Sequence, residues 1–148
     1  MSENEKPVAA TTTTSSADWL LQEWVDQINR LGISASITLQ VNGLIVSGVA
    51  IPGDLFFEKY AELMASAFRS GSTRIPAEEA EAHFKKYANI YKEDDTSEIP
   101  PAPPEYIHLE DARYWNASGQ HIPGHGVLWR GRLSQVSGYN IGSLTPSK

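Results

Sequence analysis

The chain has no cysteine, which excludes disulfide frameworks, thiol nucleophiles and cysteine-ligated zinc together. It has no apolar run approaching the roughly 20 residues of a membrane-spanning helix. The opening residues Met1 to Lys6 include Glu3 and Glu5 and lead into no apolar stretch, so no secretory signal is expected and the chain reads as cytoplasmic. Phosphate-cradling loops are missing: there is no Gly-x-x-x-x-Gly-Lys, and no Gly-x-Gly-x-x-Gly between a strand and a helix. No Gly-x-Ser-x-Gly elbow occurs. The residues give no positive sign of an enzyme, and no cofactor is expected.

What is present suits one domain. A chain of 148 residues and 16.3 kDa can build one real core but not two. Its net charge of −6 is concentrated in a short stretch: residues 93–105 hold five acids and no base, whereas residues 106–148 sum to +2. A duplex-binding protein needs a basic face to replace counterions on the phosphates, and none is visible.

Residues 1–15 read as a disordered arm, with Thr11 to Ser16 offering nothing large to bury. A single domain over 16–144 follows, with 145–148 as a tail. Ser15 or Ser16 is expected to cap a first helix, with Asp18 at the following acid position. Leu21, Trp24, Val25, Ile28 and Leu31 recur at helical steps and define its buried stripe. Gln22, Glu23, Asp26 and Asn29 take the wet side, Gly32 stops the helix, and Trp19 and Trp24 read as core or its border.

Asn42-Gly43 is a strong hairpin signal, because both residues tolerate the positive φ of a type I′ turn. That turn sets the register: Val41 faces Leu44, Leu39 faces Val46 and Ile37 faces Gly48. The opposite side collects Gln40, Thr38, Ser47 and Ile45. Gly48 predicts a tight bend or a close approach. A second helix is expected from a cap at Asp54, with Phe57, Tyr60, Met64 and Phe68 as its stripe and Phe56 and Leu63 beside them. A third opens at Pro76 and keeps the helical period through Ala80, Phe84, Tyr87 and Tyr91. The two helices pair antiparallel through residues 71–73.

Residues 93–104 combine acids with prolines and read as an extended linker inside the domain. The chain then turns β-rich. A strand from Tyr106 alternates Ile107 and Leu109 with His108 and Glu110, and continues through Ala112, Tyr114 and Trp115. A longer strand is expected over Gly126–Val136, with Val127, Trp129 and Leu133 on one side and Arg130, Arg132 and Ser134 on the other. Ser137-Gly138 reads as a turn, and Tyr139 to Gly142 as a last short strand. The fold class is therefore α+β: an N-terminal helix and a small, strongly bent antiparallel sheet or barrel of about five strands, with a two-helix insertion after the first hairpin.

Chemically ambiguous residues cluster late in the chain. His121 and His125 have a possible metal spacing, but no further ligands are apparent and both read as exposed loop residues; no metal site is expected. Glu110 and Asp111 point to opposite faces of a strand and cannot act as a carboxylate pair. They read as strand-end solvation or a salt bridge with Arg113. Arg130 and Arg132 share a strand face that either grips an anionic group or is simply the wet side of an edge strand. Trp115 and Trp129 are core residues or interface anchors. Tyr139 lies on a short last strand with no charge to block pairing with another copy. Trp115, Trp129, Arg130, Arg132 and Tyr139 are thus the candidate partner-binding residues.

Gly43 and Gly48, with Leu128-Trp129-Arg130-Gly131, resemble elements of the small Sm-like barrels, although the RNA-gripping Asp and Asn of that family are missing after Gly48. A closer resemblance rests on the hairpin Ile37 to Gly48, the helix opening near Phe56-Phe57, the segment Tyr106 to Ala112 and the strand Trp129 to Ser134. Over most of 18–142 the chain is similar to the gas vesicle accessory protein U family. That resemblance implies a non-enzymatic accessory, associated with gas vesicles in the cytoplasm, that affects their assembly or clustering. The implied partners are vesicle shell or other vesicle proteins, and a homo-oligomer is expected, with no nucleic acid and no membrane. The alternative reading is an Sm-like nucleic-acid-binding oligomer.

Overall fold

The computed structural model describes residues 16–71, 74–92 and 98–146. The expected arm, the joint at 72–73, residues 93–97 of the linker and residues 147–148 of the tail lie outside the described residues. Helix α1 spans Trp19–Leu31 and strands β1 and β2 span Ala35–Val41 and Leu44–Ile51. Helices α2 (Gly53–Ser70) and α3 (Ala77–Lys85) follow, and α3 continues into a 3-10 helix, Lys86–Tyr91. Strands β3 (Tyr106–Trp115), β4 (His121–Arg132) and β5 (Val136–Ile141) complete the chain. All the strand pairs are antiparallel, and the five-stranded sheet has the order β4-β3-β2-β1-β5. The α+β class and the five strands are as expected. The sheet does not close into a barrel; β4 and β5 are its two edges.

The cap of α1 falls later than expected. Asp18 caps it, its Oδ1 accepting from the Leu20 amide at 3.2 Å. Starting there, Leu21, Val25 and Ile28 meet the sheet, and Trp19, two residues from Leu21 and so about 200° round the helix, is turned out to 74% exposure. Trp24 packs at the margin of the core. Asn29, expected on the wet side, instead reaches the next helix: its Oδ1 accepts from the Gly53 amide at 2.9 Å and satisfies a free donor at the start of α2. Asp54 is accordingly not the cap, and bonds its neighbour Leu55 N–H at 2.7 Å.

The hairpin register is the expected one, Val41 opposite Leu44, Leu39 opposite Val46 and Ile37 opposite Gly48. Asn42 and Gly43 take φ of 51° and 81°, the positive pair a type I′ turn needs. A Cβ at Gly48 would stand 2.8 Å from the Glu110 carbonyl, so the close approach is real. β3 is bulged where Asp111 adopts φ 51°, and the extra residue returns Ala112 to the face of Leu109. Ile37, Leu39, Val46, Ala50, Ile107, Leu109, Ala112 and Leu133 pack with α1 into the main core.

The other sheet face is covered in part by the helical insertion. Phe56 is buried, whereas Phe57, Tyr60, Met64 and Phe68 of the expected stripe are half-buried between α2 and the segment 77–91, and Leu63 is exposed. Gly53 lets this segment close: a Cβ there would lie 2.5 Å from the Tyr91 ring.

The C-terminal strands differ from expectation. β4 begins at His121 rather than Gly126, and the chain reverses at a 3-10 turn, Leu133–Gln135, rather than at Ser137-Gly138. Leu133 is fully buried and its amide donates to the Glu105 carbonyl at 2.9 Å, which fixes the reversal there. A bulge opposite Gln40 and Val41 then absorbs Ser137 within β5.

Candidate interaction surface

The candidate residues do not gather into one cleft. Trp129 and Tyr139 lie on the α1 face, at opposite edges of the sheet. Trp129 Nε1 donates to Tyr114 Oη at 2.9 Å, and its ring folds over Gly131, where a side chain would collide with it. Tyr139 packs at the margin of the core opposite Leu39. Its phenol is held above its ordinary pKa by desolvation first, and then by the negative charge of the Asp18 carboxylate.

Trp115 and the two arginines lie on the opposite face. Trp115 is buried, opposite Ile45 and His121, with its ring centroid 4.7 Å from that of His121. Its Nε1 is buried without a hydrogen-bond partner. His121 and His125 belong to β4 and not to a loop, a correction to the expected position, because the β3–β4 ladder extends to Trp115 and His121. His121 Nδ1 lies 3.3 Å from the Pro123 carbonyl. Among the described residues no three His, Asp or Glu side chains are grouped to hold a metal ion. Asp111 pairs with Arg113 at 3.0 Å, one of its two expected roles, while Glu110 pairs with Lys59 of α2 at 3.2 Å.

Arg130 and Arg132 are both exposed on β4, and their surroundings differ. Arg130 Cζ sits 3.6 Å from the Tyr106 ring centroid, and its Nε donates to His108 Nε2 at 3.1 Å. A guanidinium only donates, so His108 Nε2 accepts and the ring proton is on Nδ1. That Nδ1 is buried without a partner. Phe56 lies 4.5 Å, Tyr91 5.2 Å and Phe57 5.8 Å from His108, centroid to centroid. His108 is 1% exposed, and burial first, with the Arg130 charge second, pulls its pKa down to about 3. Sequence reading missed this cluster. Alternation put His108 on the face opposite Ile107 and Leu109, and only the aromatic load of the insertion signalled that this face would also be covered.

A five-stranded open sheet with α1 on one face, an aromatic-rich helical insertion on part of the other and two unlike edges defines a small α+β protein with surfaces for contact. No helix among the described residues is long and apolar enough to cross a membrane. Residues 18–144 match the model of the family described as gas vesicle protein GvpU-like, and the chain belongs to that family. Membership implies a gas vesicle accessory protein. No curated protein and no solved structure matches the chain.

Proposed function

We propose that this protein acts on gas vesicles in the cytoplasm without catalysis, promoting or regulating their assembly or clustering by self-association and contact with vesicle shell or other vesicle proteins. The observation that carries this reading is the open β5 edge, Val136–Ile141, in a chain of this family: it has no charged residue. Unpaired amides and carbonyls along such an edge are a template for another strand. Gathering particles requires more than one binding site per unit, and self-association supplies it. Trp115, Trp129, Arg130, Arg132 and Tyr139 are the proposed partner-binding residues. The nucleic-acid alternative is the weaker, since the chain carries a net charge of −6 and Arg130 and Arg132 alone make no basic face.

Flotation tests the reading, because gas-filled particles rise and carry bound protein with them. Purified vesicles mixed with the protein and spun gently should bring it into the floating layer, with saturation as protein is added. Protein left wholly below the layer would refute it.

A further inference from the structure

The two sheet edges are chemically unlike. β4 carries Pro123, which has no amide hydrogen, and the exposed charges of Arg130 and Arg132. β5 carries neither proline nor charge. A heterologous pairing of β4 with β5 would have to accommodate the arginine-bearing, proline-interrupted edge; pairing β5 with itself would not.

The outward groups of β5 can be read from its ladder. Gly142 N–H donates to Ser36 O at 2.8 Å, so its amide points to β1. By antiparallel alternation Asn140, opposite Thr38, also turns its backbone groups to β1, and Tyr139 and Ile141 turn theirs to the open side. If a second β5 runs antiparallel with Asn140 opposite Asn140 of the other copy, each Tyr139 stands opposite the other copy's Ile141. The outward amides and carbonyls of Tyr139 and Ile141 are then paired in both strands, the Ile141 carbonyl also accepting from its own chain's Asn140 Nδ2 at 3.3 Å. Tyr139 and Ile141 share the α1 face, where an aromatic ring and a β-branched chain make a favourable cross-strand pair. Ile141 is 61% exposed and available for it. Asp18, the cap of α1, lies near enough to act on the Tyr139 phenol, which places the first turn of α1 beside this edge, where Trp19 and Leu20 are exposed apolar side chains.

We propose that two copies of this chain pair β5 to β5 about a twofold axis at Asn140, joining their sheets into one, with the first turns of α1 flanking the seam. This rests on the self-association reading above and names its surface and stoichiometry; vesicle binding is measured separately, so either can fail alone.

Because the chain has no cysteine, a single introduced one reports the seam. Facing residues in a non-hydrogen-bonded antiparallel pair stand about 4.5 Å apart between Cα atoms, within disulfide range. Full-length Asn140→Cys under mild oxidation should give a covalent dimer, and Gly124→Cys on β4 should not. Sedimentation equilibrium of the unmodified protein should give twice 16.3 kDa at tens of micromolar. Ile141→Lys, exposed and leaving the backbone intact, should weaken the dimer tenfold or more with an unchanged circular dichroism spectrum, whereas His125→Glu, exposed on the β4 edge, should not weaken it. A monomer at high micromolar concentration overturns the proposal, as would a larger assembly. So would a dimer that survives Ile141→Lys, or cross-linking through Gly124→Cys in place of Asn140→Cys. Should Ile141→Lys fail to fold, the Asn140→Cys result and the mass decide.

Discussion

Acid should weaken this fold through one side chain in particular. His108 is buried under Phe56, Phe57 and Tyr91, faces the Arg130 guanidinium, and lies beside the Lys59–Glu110 ion pair that ties α2 to β3. Its folded-state pKa is about 3 against an ordinary 6.5. Between these values the unfolded chain binds a proton that the folded chain refuses, so stability rises with pH across that window. The contribution is complete above pH 6.5 and falls by about 1.4 kcal/mol per pH unit below it. At pH 4.5 the loss is about 2.7 kcal/mol, a large share of a typical domain's stability. Carboxylates also respond to acid, so the informative quantity is the difference between the parent and His108→Phe, which keeps the ring and removes the titration. Urea unfolding followed by tryptophan fluorescence at pH 7.5, 6.0, 5.0 and 4.5 measures it. The parent should lose about 2–3 kcal/mol more than the variant across the series. Parallel pH profiles, or a resonance assigned to the His108 imidazole that titrates near 6.5 in the folded protein, would refute the reasoning.

Other substitutions probe the remaining supports. Gly43→Val should cost about 1–3 kcal/mol, because φ 81° is hostile to a β-branched residue; an unchanged urea midpoint would tell against the turn. Gly53→Ala drives a methyl group into the Tyr91 ring and should cost about 1–3 kcal/mol while loosening the segment 86–91, seen as faster amide exchange there. The double variant His121→Ala/His125→Ala should leave the melting temperature insensitive to chelator, as in the parent; a chelator-dependent drop in the parent alone would revive a metal site.

The first half of the fold was legible because its signals are local. Asn42-Gly43 admits essentially one tight turn, and from it the whole β1–β2 register follows. Leu21, Val25 and Ile28 likewise mark the buried stripe of α1 without any knowledge of the sheet, although Leu31, expected in the same stripe, is exposed where the helix ends. Where a cap or a turn depends on distant groups, reading failed. Asn29 looked like a wet residue because its partner, the Gly53 amide, is 24 residues away. The reversal at 133–135 depends on Leu133 being drawn into the core and on Glu105 receiving its amide, neither of which is visible in Ser137-Gly138. The site was less legible still. Arg130 and Arg132 share a face as alternation requires, yet only the ladder shows that one of them stands over Tyr106 against a buried histidine. The uncharged last strand could be read directly as open to pairing with another copy; that it lies beside β1, in the order β4-β3-β2-β1-β5, could not.

The central claim, that this protein gathers gas vesicles by associating with itself, is tested most directly by following the size of purified vesicles in dynamic light scattering while the protein is titrated in. The account predicts growth of the mean particle size with added protein, reversed on dilution and absent with Ile141→Lys at matched vesicle occupancy. A particle size that stays constant while flotation shows the vesicles saturated with protein would contradict it.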